Sequence, residues 1–213
     1  MQIGIIGAGK IGATVGRLWA KAGHKVRFAT RHPAELNELV KGIGENASLG
    51  TSKEAARFGE VVFVAVPFGA WPALAREIGA EIEGKLVADA GNLYPARDGK
   101  MAEDAITAGG SGVYLGALLP KALVVRAFNS VNFKTLASEA HRAGERLGMM
   151  IAGDDKKAVD IVAGLVRDAG FEPVLVGALR DANRFDVGTP VYNRAMTAAE
   201  LREALGLTTA TRK

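Results

Sequence analysis

Three glycines near the start of the chain have the spacing of a phosphate-binding turn. Gly7, Gly9 and Gly12 follow the apolar run 3–6 and extend into the start of the helical pattern 11–22. In such a G-x-G-x-x-G loop the first glycine permits a tight turn, the second lets the backbone approach a pyrophosphate, and the third allows close packing of helix on strand. The amino end of the helix adds free amides and a positive dipole end. The pattern predicts a dinucleotide site, although a glycine-rich turn without a ligand is the alternative.

The residues at the end of the second predicted strand, 25–30, indicate which dinucleotide binds. NAD-selective folds usually have an acidic residue there, which accepts hydrogen bonds from the ribose 2′-hydroxyl. This chain has Thr30 followed by Arg31 and His32. A carboxylate would repel a 2′-phosphate, whereas a hydroxyl donates to it and a guanidinium can clamp it. With His32 and Lys10 as further donors, we predict NADP rather than NAD; the alternative is that Arg31 is a solvated surface residue.

Three further turns follow predicted strands at 61–66, 86–90 and 123–128. Ligands of open parallel sheets lie beyond the carboxyl ends of the strands, so these turns should border the same site. We expect the first two turns to border the ribose and nicotinamide, and the third to face the second reactant; the alternative is that their polar residues only cap loops. The predicted cofactor residues are Val66, Pro67, Phe68, Ala70, Ala90, Gly91 and Asn92, and the predicted substrate residues are Asn129, Ser130 and Asn132.

Strand-length apolar runs alternate with helix-length segments almost to the end of the chain. This alternation predicts an α/β fold, a Rossmann-type doubly wound, mostly parallel sheet that a small C-terminal α/β lobe extends. We assign residues 1–122 to an N-terminal NADP-binding lobe and residues 123–213 to the lobe that carries the substrate side and dimer contacts. Residues 92–112 are polar and glycine-rich, and we expect a loop there with a short helix at 101–107.

Composition restricts the class of protein. The chain has 213 residues, no cysteine and a formal net charge of +4. It therefore has no thiolate nucleophile or disulfide, and its scattered basic residues do not favour nucleic-acid binding. The first apolar stretch is too short for a signal sequence or a membrane span. We expect a cytoplasmic protein with a small-molecule partner, no nucleic-acid partner and no membrane partner.

Several motifs together resemble one family. They are "GIIGAGKIG", the "ATR" after the second strand, "VAVPFGAW", "VVRAFNSVN", "MIAGDD" and "GALRDANRF". The chain resembles the NADPH-dependent coenzyme F420 reductases and, with "AFN", the oxidoreductase domain of the Steap metalloreductases. The resemblance implies a homodimer in which NADP binds the N-terminal lobe and a deazaflavin packs on the nicotinamide. It further implies that residues Ala8, Gly9, Lys10, Ile11 and Gly12 hold the pyrophosphate, that Thr30 and Arg31 take the 2′-phosphate, and that Val66, Pro67 and Ala70 line the path to the nicotinamide.

Side chains for acid–base chemistry are scarce in the sequence. None of the three histidines is placed for catalysis, no metal-ligand spacing is present, and no tyrosine has a lysine four residues later. Hydride transfer between two bound cofactors needs chiefly their close positioning. We therefore predict an oxidoreductase that transfers hydride between NADPH and a deazaflavin (coenzyme F420) or flavin (FMN or FAD), without a catalytic side chain. The alternatives are an NADPH-binding sensor without turnover and a small enzyme like the imine or pyrroline-5-carboxylate reductases.

Overall fold

Eight apolar segments form the strands of one sheet. They are seen in a computed structural model that describes residues 1–30 and 33–207. The strands are Gln2–Ile6 (β1), Lys25–Ala29 (β2), Ala47–Gly50 (β3), Val61–Val64 (β4), Leu86–Asp89 (β5), Leu123–Ala127 (β6), Gly148–Gly153 (β7) and Glu172–Gly177 (β8).

The order of the strands defines the fold class. The order is β3-β2-β1-β4-β5-β6-β7-β8, and every neighbouring pair is parallel except β6 and β7. The first six strands have the 3-2-1-4-5-6 order of the dinucleotide-binding fold. The predicted Rossmann-type, mostly parallel sheet is confirmed. Because the order reverses between β1 and β4, a crevice opens there at the carboxyl ends of the strands.

Helices cover both faces of this sheet. They are Lys10–Lys21 (α1), Asn37–Ile43 (α2), Ser52–Phe58 (α3), Trp71–Ile82 (α4), Pro95–Asp98 (α5), Lys100–Thr107 (α6), Ser111–Leu118 (α7), Phe133–Glu139 (α8), Lys156–Asp168 (α9) and Ala198–Ala204 (α10). Short 3₁₀ helices occupy Pro33–Leu36, Phe68–Ala70 and Leu179–Phe185. The capping box explains why α3 begins where it does: the Thr51 hydroxyl accepts from the Glu54 amide at 3.2 Å, and Glu54 accepts from the Thr51 amide at 2.8 Å.

Alternating residues of the central strands enter two separate cores. Ile3 and Ile5 pack on one face with Trp19 and other residues of α1, whereas Val62 and Val64 pack on the other face with Trp71. On the first face, the ring of Trp19 meets Phe63 and Phe128 edge to face at centroid distances of 5.0 and 5.5 Å. This aromatic cluster anchors the carboxyl end of β6, beside the crevice.

The helix α7 does not follow from the sequence pattern. Its segment SGVYLGAL is apolar on nearly every side, so it lacks the polar face by which an amphipathic helix is recognised. Packing explains the helix instead. A Cβ on Gly112 would lie 1.9 Å from the Leu179 carbonyl oxygen, so only glycine permits α7 to approach the 3₁₀ helix Leu179–Phe185 this closely.

Candidate cofactor and substrate cleft

The glycine loop is held in a tight turn between β1, β2 and β4. Gly7 has φ of +90°, and its amide donates to the Ala29 carbonyl at 3.0 Å. A Cβ on Gly7 would lie 2.7 Å from the Ala65 carbonyl, and a Cβ on Gly12 would lie 2.3 Å from the Gly7 oxygen. Both positions therefore require glycine for the fold itself.

Gly9 differs from its two neighbours because nothing in the fold crowds it. It is the N-cap of α1 and is exposed, and a Cβ there would meet no atom of the described residues within 4 Å. Its backbone therefore borders open space at the amino end of a 12-residue helix. Such a place fits a phosphate, which would approach the amides and the positive end of the helix dipole.

A cleft of about 560 Å³ opens at the carboxyl edge of the sheet. It extends from the first turn of α1 across the turns that follow β4, β5 and β6. A segment near residue 192 closes its far side. Its lining comprises Lys10, Ile11, Ala65, Val66, Pro67, Ala90, Gly91, Asn92, Tyr94, Arg97, Phe128, Asn129, Val131, Asn132, Phe133, Tyr192 and Asn193.

The structure brings most of the predicted site residues to this cleft. Those in its lining are Lys10, Ile11, Val66, Pro67, Ala90, Gly91, Asn92, Asn129 and Asn132. Gly7, Ala8, Gly9 and Gly12 form the adjacent loop, and Thr30 lies directly after β2.

Beyond the glycine loop and Thr30, three predicted residues do not reach the cleft lining, and two lie outside the described residues. Phe68 is fully buried and stacks on Tyr114, with ring centroids 5.6 Å apart. Ser130 is also fully buried, and Ala70 ends the 3₁₀ helix that follows β4. Arg31 and His32 lie outside the described residues, so their role at a 2′-phosphate stays a prediction.

Asn92 and Asn129 are paired across the ends of β5 and β6. The Asn92 amide nitrogen donates to the Asn129 carbonyl at 2.8 Å, and the Asn129 amide nitrogen donates to the Asn92 side-chain oxygen at 3.3 Å. The Asn129 Oδ1 atom is buried and has no hydrogen-bond partner among the described residues. A buried acceptor without a donor is costly, and such atoms are uncommon in folded proteins.

Phe128, the residue before Asn129, has an unusual backbone conformation. Phe128 is fully buried and has φ of +61°, a conformation that L side chains rarely adopt. The aromatic cluster with Trp19 and Phe63 holds it there. Strain of this kind persists where packing imposes it, often at functional sites.

Asn132 has a structural task that is visible in its contacts. Its Oδ1 atom caps α8 by accepting from the Lys134 and Thr135 amides at 3.0 and 3.1 Å. Its Nδ2 atom donates to the Asn193 side chain at 3.1 Å. These contacts join the turn after β6 to the segment that closes the cleft.

A pair of tyrosines in the cleft is absent from the sequence-based prediction. The hydroxyl oxygens of Tyr94 and Tyr192 are 2.5 Å apart, although the residues are 98 positions apart in the chain. The Arg97 guanidinium lies 4.9 Å from the Tyr94 ring centroid and forms a 2.7 Å ion pair with Asp98. Hydrogen bonding to Arg97 lowers the pKa of Asp98. No local spacing signals this pair, because folding alone brings residue 192 beside residue 94.

A buried ion network lies beneath the cleft floor. Arg126 is fully buried; it contacts the Asp89 carboxylate, donates to the Gly91 carbonyl at 2.6 Å, and lies 3.5 Å from an Asp186 oxygen. Asp89 also accepts from the Trp71 indole at 2.8 Å and from the Gly91 amide at 3.1 Å. The network therefore holds both backbone polar groups of Gly91, a predicted cofactor residue.

The fold and the cleft together define a Rossmann-type dinucleotide-binding protein. Residues 2–93 match the family described as NADP oxidoreductase coenzyme F420-dependent. This region of the chain therefore resembles that family, and the predicted resemblance is confirmed.

Individual proteins are also similar to this chain. The chain is 27% identical over 188 residues to the metalloreductase STEAP3 of Rattus norvegicus, covering 87% of this chain but only 36% of that protein. A hypothetical protein of Sinorhizobium meliloti has a similar structure, with a TM-score of 0.76, 25% identity, and coverage of 92% of this chain and 95% of the other. A candidate F420-dependent NADP reductase from an Arthrobacter species has a TM-score of 0.70 at 21% identity, covering 92% and 98% of the two chains. The last of these similarities concerns the fold alone.

The described part of the chain has two further features. None of its helices is both long and apolar enough to cross a membrane. Within residues 1–30 and 33–207, no group of three or more histidine, aspartate or glutamate side chains is placed to hold a metal ion.

Proposed function

We propose that the protein is an NADP(H)-dependent oxidoreductase that transfers a hydride between NADPH and a deazaflavin or flavin acceptor. The observation that carries the proposal is the single cleft that joins the glycine loop to the ends of β5 and β6. Its volume of about 560 Å³ lies within the usual range for small-molecule sites. Its position at the reversal of strand order is where ligands of this fold class bind.

The residues of the cleft fit the two ends of a nicotinamide dinucleotide. The open backbone at Gly9 and the first turn of α1 would hold the pyrophosphate, and Thr30 and Arg31 would take the 2′-phosphate. Val66, Pro67, Ala90 and Gly91 would border the ribose and nicotinamide. Asn129 and Asn132 would face the second reactant. When bound, NADPH would supply the hydride, and the walls of the cleft would orient the acceptor and exclude water.

The remaining parts of the proposal follow from the family. A homodimer, a cytoplasmic location, and coenzyme F420, FMN or FAD as the second reactant belong to it as expectations. Since the chain spans only about a third of the length of STEAP3, the activity of that whole protein is not carried over.

A screen of acceptors tests the function. The purified protein is mixed with NADPH and, in separate reactions, with coenzyme F420, FMN, FAD, riboflavin or a cyclic imine, and NADPH absorbance is followed. We expect oxidation with at least one isoalloxazine-like acceptor and much slower oxidation with NADH. Oxidation with the cyclic imine alone would support the imine reductase alternative. Tight NADPH binding without oxidation by any acceptor would support the sensor alternative.

A further inference from the structure

We propose that Tyr192 donates a proton to the acceptor during hydride transfer and that Tyr94 replaces this proton. This inference rests on the proposed function and extends it, since it assigns a catalytic side chain where none is apparent from the sequence. The acceptor class it implies is a conjugated ring in which hydride addition at a ring carbon or nitrogen leaves negative charge on another ring nitrogen or on an oxygen.

The two tyrosines lie where an acceptor would stand. Both line the cleft, together with Asn92 and Asn129 from the ends of β5 and β6. They come from different parts of the chain. Tyr94 follows β5, and Tyr192 belongs to the segment that closes the cleft. The backbone of that segment is held by a 2.8 Å hydrogen bond from the Asn193 amide to the Ser130 carbonyl. The pair is thus part of the cleft wall and not of the distant surface.

The hydrogen bonds around Tyr192 determine where its hydroxyl proton points. The Asn92 amide nitrogen can only donate, and it lies 3.4 Å from the Tyr192 oxygen. The Tyr94 hydroxyl, 2.5 Å away, can donate to the same oxygen. With two donors directed at its oxygen, Tyr192 directs its own proton away from both, toward the open cleft.

The electrostatic surroundings keep this proton in place until it is needed. Burial raises the pKa of Tyr192, and the Asp186 carboxylate raises it further, whereas Arg97 opposes the shift. Tyr192 therefore stays protonated through neutral pH and acts as an acid and not as a base. The exposed Arg97 guanidinium beside Tyr94 stabilises negative charge as the proton is passed inward.

The proton transfer balances the two-electron reduction. The acceptor takes a hydride at a ring carbon (in a deazaflavin) or a ring nitrogen (in a flavin), its conjugated double bonds shift, and the displaced electron pair settles on another ring nitrogen or on an oxygen. That atom takes the proton of the Tyr192 hydroxyl. Tyr192 regains a proton from Tyr94, and Tyr94 regains one from water at the cleft mouth. NADPH is oxidised by two electrons and the acceptor is reduced by two.

Substitution of each tyrosine by phenylalanine tests the inference with the full-length protein and an acceptor that passes the screen. Tyr192→Phe should lower kcat by about 10²–10⁴-fold, the usual contribution of general acid catalysis, while the Kd for NADPH measured by calorimetry stays unchanged. Tyr94→Phe should cause a smaller loss. The acid form of a small amine buffer should partly restore kcat in Tyr192→Phe and leave the wild type unaffected. Tyr114→Phe is the matched control, because Tyr114 packs on Phe68 outside the cleft lining.

A second readout needs no turnover. The chain has three tyrosines, and we expect alkaline titration of tyrosinate absorbance to show one that ionises above the ordinary range of tyrosine. This late titration should vanish in Tyr192→Phe and persist in Tyr114→Phe. Its persistence in Tyr192→Phe would overturn the inference. A higher acceptor KM in Tyr192→Phe, with unchanged kcat and no rescue by the buffer, would also overturn it. Such kinetics would show that Tyr192 only holds the wall of the cleft in place. If none of the screened acceptors supports NADPH oxidation by the wild type, the proposed function fails as well. Full turnover by Tyr192→Phe would overturn only the role of Tyr192 as proton donor.

Discussion

At the scale of single residues, the three glycines of the loop have separable tasks. Gly7 and Gly12 are required by the turn and by the contact of α1 with β1, whereas Gly9 borders open space. The spacing in the sequence predicts all three because each task is local to one turn. It cannot predict the Tyr94–Tyr192 contact, which joins residues 98 positions apart and depends on the whole fold.

Alanine substitution should separate binding from folding in this loop. Gly9→Ala should leave the free energy of unfolding within about 0.5 kcal/mol of wild type but weaken NADPH binding by about 1–3 kcal/mol, since a methyl group would occupy the phosphate approach. Gly12→Ala should instead lower the free energy of unfolding by about 1–3 kcal/mol, because its Cβ would overlap the Gly7 oxygen.

Urea denaturation and calorimetry measure the two effects. Gly79→Ala in α4 is the control, because its Cβ also meets no atom of the described residues and it lies outside the cleft lining. This control should bind NADPH normally. Normal NADPH binding by Gly9→Ala would contradict the assignment of the phosphate to this loop.

At the scale of elements, segments with a local sequence pattern are predictable, whereas elements that depend on tertiary contacts are not. The strands follow from apolar runs, and the helix α3 begins at Ser52, directly after its Thr51 cap. The strand predicted at residues 61–66 ends earlier, at Val64, and a 3₁₀ helix follows at Phe68–Ala70. Helix α7 and the 3₁₀ helix Leu179–Phe185 depend on each other through Gly112, a contact without a sequence signature.

The buried Arg126 network joins several of these elements, and its removal should destabilise the fold. Arg126→Met would leave the carboxylates of Asp89 and Asp186 without their buried cation. We expect the free energy of unfolding in urea to fall by about 3–5 kcal/mol. The control, Lys100→Met, breaks the exposed 2.8 Å pair with Asp104 and should cost at most about 1 kcal/mol. Equal effects of the two substitutions would show that the network contributes no more than a surface ion pair.

At the scale of the whole molecule, one sheet carries both halves of the cleft. The turns after β4 and β5 and the turn after β6 meet at one edge because these strands are neighbours and parallel. The alternation of the sequence predicts this continuous sheet, and the sheet passes residue 122 without a break. The division into lobes at residues 122 and 123, and the homodimer, stay predictions.

Calorimetric titration of the wild type and Arg31→Ala with NADPH and NADH tests the central claim most directly. We predict that the wild type binds NADPH and that Arg31→Ala binds it more weakly by about 1.5–3 kcal/mol, the scale of charge-assisted hydrogen bonds to the 2′-phosphate. Binding of NADH, which lacks this phosphate, should change little. Equal losses for both coenzymes would contradict the phosphate clamp, and no heat with NADPH would contradict the account as a whole.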